Sequence, residues 1–324
     1  MQPVKQKVEM GNKAHEVIPG NPSTATSSKQ QLNDRSNGKD LRVLSEADWK
    51  FWKHNGYIVI KNAISKEQAK RTSDFLWEFD EKNPADTNTW YVPARAEMKM
   101  KELTGTGMVE VYNHQLLWDN RQTQRVYDAF VDVWGTEKLW VTIDRANLNF
   151  PLPPNVTKKG FIHWDYDPET KPQNVQGVLA LADQIDENMG GFQCIPWLYR
   201  NYDSWKLTQP EDRDHFQPSL EGLEDKIVKV KMEAGDLLIF NSIQPHGIRQ
   251  NKSKEKVRIA QYISMMPAEP ENKVLRDWRI NSWKDRIAPE GYAFPGDPRK
   301  WEQTKYKTAK LSPLGEKLLG LKDW

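Results

Sequence analysis

Apolar positions along the chain change period at residue 139, from the spacing of helices to that of short strands. Ser45 followed by Asp48 reads as a helix cap, Trp49 and Phe51 ride on the short helix behind it, and Gly56 ends it before a strand at Tyr57–Ile60. Ser65 with Gln68 caps a second helix running to Phe79, with Phe75, Leu76 and Phe79 on one face. Residues 83–107, broken by Pro84, Pro93, Gly105 and Gly107, read as loop. Residues 120–134 are periodic at Val126, Tyr127, Phe130 and Trp134, which predicts an amphipathic helix. Strands are expected at 139–148, 160–165, 175–182, 191–195, 226–230, 236–240 and 257–265. A run of short strands after helices predicts a mainly β fold: a double-stranded β-helix, or jelly roll of the cupin kind, with two facing sheets and helices packed outside.

The flanks differ from this core. Residues 1–40 are rich in Ser, Asn, Gln, Lys and Gly and nearly lack apolar clusters, so a disordered tail is expected. Residues 41–266 then form the domain. Residues 267–324 make a Trp-rich arm, with Trp278, Trp283, Trp301 and Trp324, expected to bury apolar surface on that domain rather than to act as a lid or dimer contact. Forty-seven basic residues against 45 acidic give no electrostatic case for nucleic acid. No apolar run approaches a membrane span or a signal peptide, and the lone Cys194 fits a reducing compartment, so a cytoplasmic protein is expected, as monomer or homodimer. Cys194 sits inside a strand pattern, which favours inert burial.

The chemistry lies in His163-Trp164-Asp165, His246 and Arg258. Alternate residues of a strand project to one side, so His163 and Asp165 can address one metal while Trp164 faces away. A third ligand must come from a neighbouring strand. His246 suits that role, since it follows the turn and buried-strand run Gly235-Asp236-Leu237-Leu238-Ile239-Phe240, with Pro245 just before it. Two imidazoles and one carboxylate hold Fe(II) by one face and leave positions open for a co-substrate and dioxygen. Asp167 is the rival carboxylate, but on a strand it lies roughly 13 Å from His163. Arg258, past the polar turn 251–256, opens a strand on which Arg258, Ala260 and Tyr262 share a face, and a guanidinium there suits a dicarboxylate. Taken singly, each residue has a plainer reading, as a hydrogen-bonded core histidine or a surface ion-pair partner. Arg249, three residues after His246, is the alternative anchor.

The order His-x-Asp, distal His, then Arg about a dozen residues on resembles the phytanoyl-CoA dioxygenase family of Fe(II)/2-oxoglutarate oxygenases. Supporting segments are Trp52-Lys53-His54-Asn55-Gly56-Tyr57-Ile58-Val59-Ile60, Gly190-Gly191-Phe192-Gln193-Cys194-Ile195-Pro196 and Gly235 to Phe240. The resemblance implies that His163, Asp165 and His246 ligate iron, that Arg258 binds the distal carboxylate of 2-oxoglutarate, and that Asn149 contacts the co-substrate, with Asn147 on the same face. It implies a dioxygenase that uses O2, releases succinate and CO2, and hydroxylates a small molecule. Related halogenases replace the carboxylate ligand by a small residue, whereas Asp165 fills that place here. After Ile195-Pro196, where many relatives continue Gly-Ser-His, this chain reads Trp197-Leu198-Tyr199-Arg200, so the substrate loop cannot be carried over. Two other classes use the same three side chains: a jelly-roll binding module without turnover, which has no need of Arg258, and a zinc hydrolase, which needs a general base such as Asp167 or Glu169 beside the metal.

Overall fold

A computed structural model of the chain describes residues 28, 30–92, 107–153, 156, 161–289, 294 and 296–324. The chain enters through α1 (Glu46–Asn55), where Ser45 Oγ accepts from Asp48 N at 3.1 Å and the Asp48 carboxylate accepts from Ser45 N at 2.9 Å. That reciprocal pair satisfies two of the helix's orphan donors. Gly56, at φ +70°, turns the chain into β1 (Tyr57–Ile60). Then come α2 (Lys66–Phe79), a 3-10 turn at Thr87–Thr89, β2 (Met108–Val109), α3 (Gln115–Arg121) and α4 (Gln124–Trp134). The strands that follow are β3 (Leu139–Val141), β4 (Ala146–Asn149), β5 (Val175–Ala180), β6 (Gly191–Cys194), β7 (Val228–Lys229), β8 (Leu237–Asn241), β9 (His246–Arg249), β10 (Arg258–Tyr262) and β11 (Met265–Pro267). Helix α5 (Pro196–Lys206) lies between β6 and β7, and α6 (Lys273–Asp285), α7 (Trp301–Lys305) and α8 (Pro313–Leu319) complete the arm.

Six strands form an antiparallel sheet in the order β1-β8-β5-β10-β4-β2, faced by a three-stranded sheet β7-β6-β9, with β3 and β11 paired separately. This is the expected jelly roll, left open rather than closed into a barrel. Side chains alternate across the large sheet. Ile58, Leu237, Ile239, Leu179 and Ile259 face the helices and pack with Trp52, Leu76, Phe79 and Phe130. Val178, Ala180, Leu238, Phe240 and Ala260 face inward against Phe192 and Cys194 of the small sheet. Burial on both faces explains why the strands read as continuous apolar runs such as Leu237-Leu238-Ile239-Phe240.

Several boundaries differ from the sequence expectation. The strand expected at 139–148 breaks at Asp144, because β3 pairs with β11 while β4 pairs with β10; the strand expected at 257–265 breaks in the same place for the same reason. Partner strands that change sheet must change it together. The helix expected at 120–134 is two helices, joined at Gln122-Thr123 and beginning earlier, at Gln115. The strand expected at 226–230 is a 3-10 turn and the short β7. Residues 1–27 and 29 lie outside the described residues, but 30–40 dock: Leu32 is buried, Leu32 N donates to Gln173 at 2.8 Å, and the Trp52 indole donates to Asn33 Oδ1 at 2.5 Å. Leu32 and Asn33 seat a segment whose composition suggests no docking. Most of the loop expected at 83–107, residues 93–106, also lies outside the described residues.

The Trp-rich arm packs on the domain through buried charge. Arg279 is fully buried and donates to Val141 O of β3 as well as to the carbonyls of Leu318 and Leu319 within the arm. The Glu302 carboxylate accepts from Tyr112 N and Asn113 N at 2.8 and 2.7 Å, while burial pushes its pKa up to about 7. Among the described residues no helix is long and apolar enough to cross a membrane.

Candidate metal centre

His246 opens β9, directly opposite Cys194 of β6. Its ring is buried against Phe240 and Phe192, at 4.4 and 5.7 Å between centroids. Gln244 O lies 3.0 Å from His246 Nδ1; a carbonyl only accepts, so Nδ1 carries the proton and Nε2 keeps its lone pair for a ligand.

The expected strand at 160–165 reduces to a single antiparallel bridge, His163 N to His246 O at 2.8 Å and His246 N to His163 O at 3.0 Å. Strand alternation survives even so. Trp164 turns the other way, its indole donating to Ile243 O at 2.9 Å within the cluster under α5, and leaves His163 and Asp165 on the side of His246. The approach is close enough to dictate Gly247, since a Cβ there would lie 1.8 Å from Phe161 O.

One donor atom each from His163, Asp165 and His246 lies within 4.8 Å of the others. Asp165 bridges the pair, with Oδ1 3.1 Å from His163 Nε2 and Oδ2 3.4 Å from His246 Nε2. Burial opposes its ionisation, but the two imidazoles more than offset that and hold its carboxyl well below the usual carboxylate range. Gln176, on the inner face of β5, donates to Asp165 Oδ2 at 2.5 Å. A carboxylate and two imidazoles with lone pairs converging on one point form a donor set that suits a divalent cation.

The rival carboxylates are engaged elsewhere. Asp167 Oδ2 lies 3.2 Å from His215 Nδ1, and Glu169 Oε1 lies 2.5 Å from Arg213.

Arg258 is fully buried on the inner face of β10. Gln184 Oε1 accepts from Nε at 3.2 Å and Asn147 Oδ1 accepts from Nη1 at 3.0 Å, while Nη2 is buried with no hydrogen-bond partner among the described residues. A buried guanidinium with an unused donor is costly unless a ligand completes it, so the site fits an anionic co-substrate. Asn149 lies opposite Arg258 in the β4–β10 ladder, its Oδ1 buried, close to Gly190 and also without a hydrogen-bond partner among the described residues. Asn147 therefore orients the arginine and Asn149 faces the space beside it. Arg249, the alternative anchor, instead donates to the carbonyls of Phe192 and Val230 at 2.9 and 3.3 Å. Cys194 is buried, and burial pushes its thiol up, in keeping with inertness.

Sequence reasoning missed Gln176, Gln184 and Gln244. Gln176 had a signal: it alternates with Val178 and Ala180 on a strand otherwise buried on that face. Trp197 to Arg200 prove to lie on α5, with Leu198 packed beneath Trp164.

Known proteins resemble this chain in sequence and in fold. At 27% identity over 246 residues, 68% of this chain and 77% of the relative, the chain is similar to "Ava biosynthesis cluster protein O" of Aspergillus versicolor. Its fold matches a crystal structure of a hypothetical protein from Escherichia coli, with TM-score 0.62, 17% identity and coverage of 98% and 90% of the two chains. It also matches the GlcNAc-inducible gene 2 product of Candida albicans, with TM-score 0.61, 15% identity and coverage of 99% and 84%. The family model for phytanoyl-CoA dioxygenase matches residues 52–260, a span that holds the three converging donors and the arginine with its unused nitrogen. The chain belongs to the phytanoyl-CoA dioxygenase family, oxygenases whose cofactor is Fe(II) and whose co-substrates are 2-oxoglutarate and dioxygen.

Proposed function

We propose that this protein hydroxylates a small molecule, inserting one oxygen atom of O2 into a C–H bond while the other enters succinate as 2-oxoglutarate loses CO2. In this reading His163, Asp165 and His246 hold the iron, and Arg258 binds the distal carboxylate of 2-oxoglutarate with Asn149 beside it. When bound, the metal supplies the activation of dioxygen that no side chain can. Asp165 supplies the negative charge of the donor set, Gln176 and Gln244 fix the directions of Asp165 and His246, and the apolar inner layer of Phe192, Phe240 and Leu238 keeps water from the site.

The observation that carries this reading is Arg258: fully buried, gripped at Nε and Nη1, and with no partner for Nη2 among the described residues, on the cleft side of the same sheet that carries Gln176. A binding module has no use for such a group, and a hydrolase would want a free carboxylate where Asp167 and Glu169 are already paired. The relative named for a biosynthesis cluster supports a small-molecule substrate.

The test is an anaerobic titration of the Fe(II) protein with 2-oxoglutarate, followed by the metal-to-ligand absorption band. Arg258→Ala should weaken the co-substrate by thirtyfold or more, about 2–4 kcal/mol, and Arg258→Lys by less, because charge survives and the fork does not. Iron content should stay the same. Arg249→Ala should leave the titration nearly unchanged, and the reverse pattern would remove Arg258 from the co-substrate site.

A further inference from the structure

Residues 165–176 leave the metal centre and return to it as a closed loop. Asp165 opens the loop and Gln176, on β5, closes it, the Gln176 amide donating to Asp165 Oδ2 at 2.5 Å. One step further out, Asn174 Nδ2 donates to the Tyr166 hydroxyl at 2.5 Å, and Ser242 N donates to Asn174 O at 3.1 Å. Loops whose ends meet in this way are compact units held by their own side chains, and they are frequently functional. One flank of this loop is pinned, through Asp167 to His215 and through Glu169 to Arg213.

The other flank faces α5 across a cavity of about 290 Å³. Pro168 and Pro172 of the loop, both buried, line one side of it, and Tyr199 and Tyr202 of α5 line the other. Rigid rings on both sides suit a flat apolar body, and the volume is at the small end of those that hold one organic ligand. Trp164, which turns away from the metal, meets Tyr202 edge-on at 5.6 Å, so the cavity lies behind the ligand segment rather than in front of it. Three charged side chains border this space, Lys171, Arg200 and Asp203. The Asp203 carboxylate is shared between Lys171 at 4.0 Å and Lys206 at 3.6 Å. Arg200 has no carboxylate partner among the described residues; its Nη1 donates to Asn55 Oδ1 at 3.0 Å, which orients the fork and leaves its other nitrogens to a ligand.

We propose that this cavity is a second ligand site, for a small monocarboxylate with a one- or two-ring aromatic body, and that its occupancy tightens metal binding. The ring lies between the prolines and the tyrosines, and the carboxylate pairs with the Arg200 guanidinium. The loop on one side of the cavity is the one that begins with Asp165, so a molecule that bridges it to α5 holds it in the arrangement the metal needs. Linkage makes the effect mutual: the metal favours the ligand by the same factor by which the ligand favours the metal. The inference uses Asp165 as a metal ligand and does not depend on the reaction catalysed.

Two probes with one aromatic body test this, indoleacetate and its neutral counterpart tryptophol, each titrated calorimetrically into the metal-free protein and into the anaerobic Fe(II) protein. Indoleacetate should bind about tenfold more tightly than tryptophol, and Arg200→Ala should abolish that preference while Arg258→Ala keeps it. Saturating indoleacetate should raise iron affinity, read by competition with a chelator, about fivefold or more, and iron should raise indoleacetate affinity by the same factor. In Arg200→Ala the iron affinity without probe should match the parent, and the coupling should vanish. A coupling that survives in Arg200→Ala marks a carboxylate bound at the metal itself and overturns the inference. So does equal binding of the two probes, or no binding of indoleacetate at millimolar concentration, and binding without any effect on iron overturns the link to the metal. If the parent protein takes up no iron, the metal reading fails instead, and the titration of the metal-free protein still decides the site.

Discussion

The two halves of the metal centre are built differently. His246 belongs to a sheet, its side chain is 9% exposed, and one ring nitrogen is committed to a backbone carbonyl two residues away. His163 and Asp165 lie on an irregular segment joined to that sheet by one bridge, with side chains 27% and 34% exposed. Folding of the jelly roll sets the first half. The second is placed by contacts the segment makes after it leaves the sheet: the close pass over Gly247, the Gln176 amide, and the pairs that tie Asp167 and Glu169 to the 213–215 turn. A centre made this way keeps one ligand pre-aimed and leaves the others adjustable, which suits a cation that must also accept a chelating co-substrate.

Removing ligands should give the largest effects and expose the asymmetry. His163→Ala, Asp165→Ala and His246→Ala should each lose bound iron and turnover, measured by metal content and succinate release. Their metal-free stabilities should diverge. His246→Ala takes a ring out of its packing with Phe240 and Phe192 and should cost about 1–3 kcal/mol in a denaturant melt, whereas Asp165→Ala removes a part-exposed group with polar contacts alone and should cost less. Full activity in any of the three removes that residue from the metal, and equal stability losses erase the contrast between the halves.

Gly247→Ala attacks the junction. The new Cβ would meet the Phe161 carbonyl, a backbone atom that no rotamer change can move, so the two segments must part. Overpacking of this kind costs about 1–3 kcal/mol. Iron affinity should fall by tenfold or more, because His163 and His246 no longer converge, while the proposed 2-oxoglutarate anchor at Arg258 stays intact. Parent-like iron affinity in this variant would show that the bridge is dispensable.

Gln176→Leu keeps the shape of the side chain and deletes the 2.5 Å hydrogen bond to Asp165. Partners that orient a metal ligand are typically worth ten- to hundredfold in affinity. A fall of about tenfold in iron affinity, with no change in the metal-free melt, is expected. A change in the melt without a change in affinity would make Gln176 a packing residue.

The same contrast governs what the sequence discloses. The His-x-Asp pair, the distal His and Arg258 are legible because strand alternation is local: a two-residue period decides which side a side chain takes, and it held for Trp164 even where the strand shrank to one bridge. The paired breaks at 144 and beyond 262 were hidden, since whether β3 and β11 leave the large sheet depends on which strand each finds as a partner. Asn147 and Asn149 could not be told apart for a related reason. Both face the cleft, and only the folded structure shows that Asn147 Oδ1 accepts from the guanidinium while Asn149 Oδ1 has no partner among the described residues. The docking of Leu32 and Asn33 rests on Gln173, Val133 and Trp52, partners far along the chain that composition alone cannot supply.

The smallest expected effect lies furthest from the sheet, at the pairs that hold the segment after Asp165. Asp167 meets His215 at 3.2 Å, and Glu169 and Tyr202 meet Arg213 at 2.5 and 2.8 Å, while Trp164 N donates to Phe216 O at 2.8 Å beside them. Exposed pairs of this kind contribute about 0.2–1 kcal/mol each, which sets an upper bound of roughly fivefold on what His215→Ala can do to iron retention. Arg213 is less exposed and also lies over the rings of Tyr202 and Trp205, so Arg213→Ala should exceed His215→Ala by a few-fold. The measurement is the rate of iron release to a chelator at low and high salt. If the pairs act through charge, screening should bring parent and His215→Ala together as salt rises. A salt-independent gap, or an Arg213→Ala protein that loses iron as completely as Asp165→Ala, would mean that the turn at 213–216 is part of the centre rather than its outer support.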